Sequence, residues 1–189
     1  MTLDERTLEV AIVVAKTLHS RGVETAVIGA VAAAVRNYPR ATQDLDLATF
    51  TVPSPTLGWV RDDLKAQGFE AELTLPDADD PLGGVLRITG AGFGLIEVVN
   101  FYNPMGKIAE VGRLAIDEAE PNVLGTLAVV RLPHLIALKL YAATGIVSKA
   151  HLDVMELLDR NPEIDIAALR ELCERLGLGR ELEAVLERR

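Results

Sequence analysis

The 189-residue chain holds a single cysteine, Cys173. An intrachain disulfide is therefore excluded, as is a thiolate metal cluster within one chain. Cys173 stands between Leu172 and Leu176 in a helical pattern, where a small buried hydrophobe is the expected role. Basic residues are outnumbered, 19 Lys and Arg against 28 Asp and Glu, and the formal charge of -9 argues against bulk DNA or RNA binding, which needs a basic face. Aromatics amount to 4% of the chain, too few for the stacking platform of a single-strand binder. No apolar run approaches the length of a membrane span, the longest being 26–35, and the acidic start MTLDERTLEV lacks the basic region of a secretory signal. A cytoplasmic protein without membrane contact is the expectation. His19, His134 and His151 have no metal-ligand spacing, and no serine sits in a nucleophile elbow, so the histidines are read as structural or surface residues.

What is present is an ordinary globular balance, 49% apolar and 25% charged, without repeats or low-complexity tracts. Leu8, Ala11, Ile12, Ala15 and Leu18 fall at helical spacing and predict a first helix over 4–20. A short buried strand follows at 25–28, and Gly29-Ala30 turns the chain into an alanine-rich helix running to about residue 37, ahead of Pro39. A second strand spans 44–50. Ser54 and Pro55 read as N-cap and first residue of a helix over 56–67, followed by a strand at 69–75, a surface loop at 76–84, and a hairpin of 85–89 with 93–101. In the glycine- and proline-punctuated stretch 103–130, strands are read at 113–118 and 126–130. Pro133 opens a helix, Ser148 opens another through 159, and 165–176 and 180–189 supply two more. The fold class is thus α/β (α+β): a sheet with flanking helices over 1–130, then a C-terminal helical bundle over 131–189, with a ligand cleft between them.

The chemistry concentrates between residues 26 and 49. Alternation along a strand points Asp44 and Asp46 to one side while Leu45 and Leu47 face the core. Like charges held that close raise a carboxyl pKa unless a cation neutralises them, and Mg2+ (or Mn2+) favours such oxygens. A strand ending at Gly29 and leading into a helix leaves unpaired amides at the positive end of a dipole. Gly29 permits the turn, and Ala30 is small enough to leave room for a phosphate. Glu97, the only charge in the apolar run 93–99, is the candidate third acid, because an unpaired carboxylate is costly to bury. Each signal alone has a plainer reading, which stays open: a solvated strand edge, an outward-facing residue, a tight packing turn. The glycines of 90–94 lack dinucleotide-fingerprint spacing and precede a strand, so they are read as a hairpin turn.

Together these residues resemble the polymerase β-type nucleotidyltransferase superfamily, and within it the AbiEii/AbiGii-like toxin group and its relatives. The superfamily pattern is an apolar residue, Gly, then Gly or Ser, a short gap and an apolar-flanked Asp-x-Asp. Ile28-Gly29-Ala30 and Asp44-Leu45-Asp46 fit it. The run Arg40-Ala41-Thr42-Gln43-Asp44-Leu45-Asp46 is similar to the Arg-x-Thr-x-Asp-x-Asp form of the toxin group, and Lys139, Lys149 and Asp153 match its downstream helical motifs. Ala30 stands where the superfamily has Gly or Ser, Glu97 where it has Asp, and Ala150 where relatives have Ser or Asp.

The resemblance implies a nucleotidyltransferase-type mixed sheet and transfer of an NMP from an NTP to an RNA (tRNA) or protein hydroxyl, with the toxin role of a toxin–antitoxin pair and a cognate antitoxin as partner. It implies Asp44, Asp46 and Glu97 as metal ligands and catalytic acids. Lys139 would neutralise the triphosphate, and Gly29, Ala30, Arg40, Thr42, Lys149 and Asp153 would bind the nucleotide. Asp153 would orient the nucleotide or Lys139. The departures at Ala30 and Glu97 leave an alternative, a catalytically weak module of the same fold that binds nucleotide or a protein partner. A Mg2+-dependent phosphohydrolase is a third reading.

Overall fold

The computed structural model describes residues 3–39, 41–76, 82–102, 108–143 and 149–189. Helix α1 (Glu5–Ser20) is started by Asp4, whose carboxylate accepts from the amides of Arg6 and Thr7 at 2.7 and 3.1 Å. Strand β1 (Thr25–Ile28), helix α2 (Gly29–Val35) and strand β2 (Leu45–Thr49) follow. Helix α3 (Pro53–Ala66) starts earlier than the Ser54-Pro55 pattern suggested: Ser54 is an extended residue within it, and the Ser54–Pro55 bond is cis. Strands β3 (Glu70–Thr74), β4 (Val85–Thr89) and β5 (Ile96–Asn100) complete the first half.

One sequence expectation fails here. The stretch 113–118 is not a strand but the second half of helix α4 (Ile108–Asp117). Glycine and proline punctuation suggested short strands, whereas the buried set Ile108, Val111, Gly112, Ala115 and Ile116 follows the helical period over the longer window. Gly112, read as punctuation, is a packing residue, because a Cβ there would lie 2.2 Å from Cβ of Phe101. Strand β6 (Glu120–Leu124), which the sequence did not announce, pairs with β7 (Leu127–Val129). It contains Pro121, tolerated because β6 is an edge strand. Helices α5 (Leu132–Ala142), α6 (Lys149–Arg160), α7 (Ile166–Arg175) and α8 (Gly179–Leu186) close the chain. Among the described residues no helix is long and apolar enough to cross a membrane.

Among the described residues the sheet is seven-stranded and mixed, in the order β3-β4-β5-β2-β1-β7-β6. Strand β2 lies antiparallel to β1 and parallel to β5, while β1 lies parallel to β7. Helices α1 and α3 pack on one face, over the fully buried Leu45, Leu47, Ile96 and Val98. Helix α4 packs on β1 and β2 from the other face, and α5 packs against α4 and α2. The shared core also buries Ile136, Leu140, Leu157 and Cys173 on the C-terminal helices. Asn161, 3% exposed, ties the end of α6 to the end of α2: its amide donates to the Arg36 carbonyl at 2.9 Å and its Oδ1 accepts from Asn37 at 2.9 Å. Asn37 adopts φ 65°, the left-handed turn that ends α2.

Candidate active site

Asp46 is the centre of the site. In β2 it stands opposite Ile28 of β1 on one side and Glu97 of β5 on the other, so both acids lie on the sheet face that carries α4. The opposite face of β2 is filled by Leu45 and Leu47, which fixes this orientation through the pleat. The Asp46 carboxyl is pushed up to about 6, first by burial, then by the negative charges of Glu97 and Asp44, with Lys139 opposing. Its Oδ2 lies against the backbone of Gly29, where a Cβ would come within 1.9 Å, and Gly29 has φ 66°. The position is thus closed to other residues on two counts, conformation and space.

Asp44 is exposed just before β2. Its amide donates to Thr42 Oγ1 at 3.2 Å, and that hydroxyl donates to the Asp44 carbonyl at 3.1 Å, so Thr42 shapes the turn into the strand. Gly94 presses on the same turn, since a Cβ there would meet the Gln43 carbonyl oxygen at 1.8 Å. Leu45 donates to the Leu95 carbonyl at 2.9 Å. Glu97 does not stand unpaired on its strand: Arg87 Nε, across the hairpin on β4, donates to its Oε1 at 2.8 Å. Among the described residues no three acid, histidine or cysteine side chains are gathered closely enough to form a ready-made metal cluster.

Beside Asp46 opens a cleft of about 950 Å3. Gly29 and Ala30 line one end, Lys139 of α5 and Lys149, Ala150 and Asp153 of α6 another, and Leu82, Val99, Phe101, Ile108, Leu135, Leu138 and Tyr141 form an apolar wall. Lys139 Nζ donates to Asp153 Oδ2 at 2.6 Å, the side chains being 14% and 7% exposed, and Tyr38 Oη donates to Asp153 Oδ1 at 3.4 Å. Lys149 is exposed at the rim. Asp44, Thr42 and Glu97 are not part of the cleft lining, and Arg40 lies outside the described residues. The apolar wall, Arg87 and Tyr38 were not read from the sequence. The alternation in Val85–Thr89 does leave Arg87 on the exposed side, which was the available signal.

No family model matches the sequence, and no curated protein sequence is significantly similar to it. Solved structures are similar. ANT(2")-Ia in complex with adenylyl-2"-tobramycin superposes with a TM-score of 0.57 at 15% identity, over 89% of this chain and 95% of that one. The solution structure of the same antibiotic-resistance factor gives 0.58 at 16% identity, over 98% and 97%. At such identities the likeness is one of fold, and the fold is that of the nucleotidyltransferases, a mixed sheet with flanking helices.

Proposed function

We propose that this chain is a cytoplasmic nucleotidyltransferase dependent on Mg2+ or Mn2+, which moves an NMP from an NTP to a hydroxyl acceptor. The observation that carries the reading is the row formed by Asp46 and Glu97 on adjacent parallel strands, beside a cleft shared with Gly29, Lys139 and Asp153. Asp44, Asp46 and Glu97 offer the hard carboxylate oxygens that such cations take. A carboxyl raised to about 6 by its neighbours is one that a dication would relieve. When bound, the cation supplies charge neutralisation at the phosphates and the attacking oxygen.

In this reading residues 1–130 bring Asp44, Asp46 and Glu97, and residues 131–189 bring Lys139 and Lys149. The acceptor oxygen forms a bond to the α-phosphorus, the bond to the bridging oxygen breaks, and pyrophosphate leaves with that electron pair. The acceptor proton passes to a carboxylate of the acid row. Lys139, aimed by Asp153, neutralises the triphosphate, with Lys149 at the rim; Gly29 and Ala30 leave backbone space at the cleft end, and the family resemblance alone supports Arg40 and Thr42 as nucleotide-binding residues. The apolar wall excludes water and accepts the base. The toxin-group resemblance supports an RNA (tRNA) or protein hydroxyl as acceptor, a toxin role and a cognate antitoxin. Growth arrest on expression, relieved by the product of an adjacent gene, tests the last two.

The central test incubates the full chain with each labelled NTP, Mg2+ and total cellular RNA and protein. Label transfer is expected, and Asp46→Asn should reduce it by about 10³-fold; equal labelling by the two proteins sinks the assignment. The Arg87–Glu97 ion pair favours a second reading, a module of the same fold that binds nucleotide or a partner without turnover. Measurable NTP binding without pyrophosphate release would decide for it.

A further inference from the structure

Four charged residues stand in one register row across four neighbouring strands: Asp46 on β2, Glu97 on β5, Arg87 on β4 and Glu72 on β3. Because paired positions in a sheet project to the same side, the row runs outward from the cleft along one face. Arg87 is flanked by a carboxylate on either side. It bonds to the inner one, Glu97, through a single contact at 2.8 Å, with side-chain exposures of 45% and 26%.

We infer that Arg87 is a displaceable counter-ion: it draws Glu97 away from Asp46 in the cation-free protein, yields Glu97 when a divalent cation binds, and turns to Glu72. The inference rests on the reading of Asp46 and Glu97 as cation-binding acids. Three observations carry it. Glu97 already has its Oε1 engaged by the guanidinium, and among the described residues the acids are not gathered into a cluster in that state. The pair is solvent-accessible, so it is weak enough for a dication to break. Glu72, exposed on the outer side, gives the released guanidinium a second carboxylate without leaving the row. Arg87 is therefore a residue that tunes cation affinity, not a catalytic one. A merely structural cross-strand pair would stabilise the hairpin and leave cation binding untouched.

The test is Mn2+ alone, titrated into the full-length protein by calorimetry and by water-proton relaxation, so that no turnover is needed. Arg87→Gln is expected to tighten Mn2+ binding by about three- to tenfold, since the ion no longer competes with a fixed positive charge. The gain should vanish in a Glu97→Gln background, where there is no acid to release. Glu72→Gln should act with opposite sign, weakening binding by about twofold, because displaced Arg87 loses its second partner. Arg87→Lys keeps the charge and guards against a folding artefact, so it should stay within about twofold of the parent. Unchanged or weaker binding in Arg87→Gln, or a gain that persists without Glu97, overturns the inference while leaving the cation site standing if Asp46→Asn still loses Mn2+. Parent-like binding by Asp46→Asn overturns the cation site itself and the inference with it.

Discussion

On the helical side of the cleft Lys139 and Asp153 neutralise each other at 2.6 Å, whereas on the sheet side Asp46 faces Glu97 and Asp44 and its carboxyl rises to about 6. The helical wall is therefore balanced before any ligand arrives, whereas Asp46 on the sheet wall keeps neighbouring negative charges that a proton or, in the proposed reading, a bound cation relieves. The difference identifies where binding energy is to be gained. It also predicts that removing one charge has opposite consequences on the two walls.

The largest effect should come from breaking the balanced wall. Asp153→Asn leaves Lys139, 14% exposed, without its counter-charge, and should destabilise the protein by about 3 kcal/mol, read from urea midpoints. Next is Gly29→Ala, which imposes a strained φ and pushes a methyl group into the Asp46 carboxylate. It should cost about 1–2 kcal/mol of stability. A loss of transfer on the order of 100-fold should accompany it, because the central acid is displaced. A fold left at parental stability and activity would remove the claimed contact.

Asp46→Asn should then stabilise the protein by about 2 kcal/mol at pH 8, somewhat less than an unscreened shift of this size would give. The sign follows from linkage. Between the ordinary carboxyl value of 3.8 and about 6 the native state holds a proton that the unfolded chain has lost, so wild-type stability falls as pH rises through that window. Thermal melts of the two proteins should therefore converge near pH 4 and separate as pH rises to about 6, with a steady gap above; a gap that does not change between pH 4 and 6 would refute the electrostatic origin.

The smallest effect lies on α5 itself. His134 is 5% exposed, its ring nitrogens have no hydrogen-bond partner among the described residues, and Glu118 Oε2 stands 3.6 Å from its Nε2. Burial holds its pKa below the usual range, with Glu118 opposing and Arg131 and Arg175 adding to the depression. The unfolded state thus takes the proton first, and stability drops as pH falls below about 6.5, opposite to the Asp46 contribution. His134→Gln should flatten that acid limb of the melting curve, and an unaltered limb would assign it elsewhere.

Legibility of the sequence divides along the same line. Asp44, Asp46 and Gly29 could be read because strand alternation and a strand–helix turn are local properties, and β1 falls where the apolar run placed it. Helix α4 could not, because the Gly112 that permits its contact with Phe101 carries the same local signal as a turn. Arg87 was missed because its partner is set by hairpin register, which a single strand does not encode. The Lys139–Asp153 pair was half legible: both residues stood out in their helices, but whether Asp153 meets the lysine depends on how α5 packs on α6.

The parallel pairing of β2 with β5 also orders events in time. Asp46 and Glu97 are 51 positions apart (46 to 97), and they face one another only when β2 closes the loop onto a hairpin of β4 and β5 that is local in sequence. Such long closures come late in folding. Repulsion between the acids arises with this pairing and not with the β4–β5 hairpin, so Asp46→Asn is expected to slow unfolding more than it speeds folding, which stopped-flow rates check.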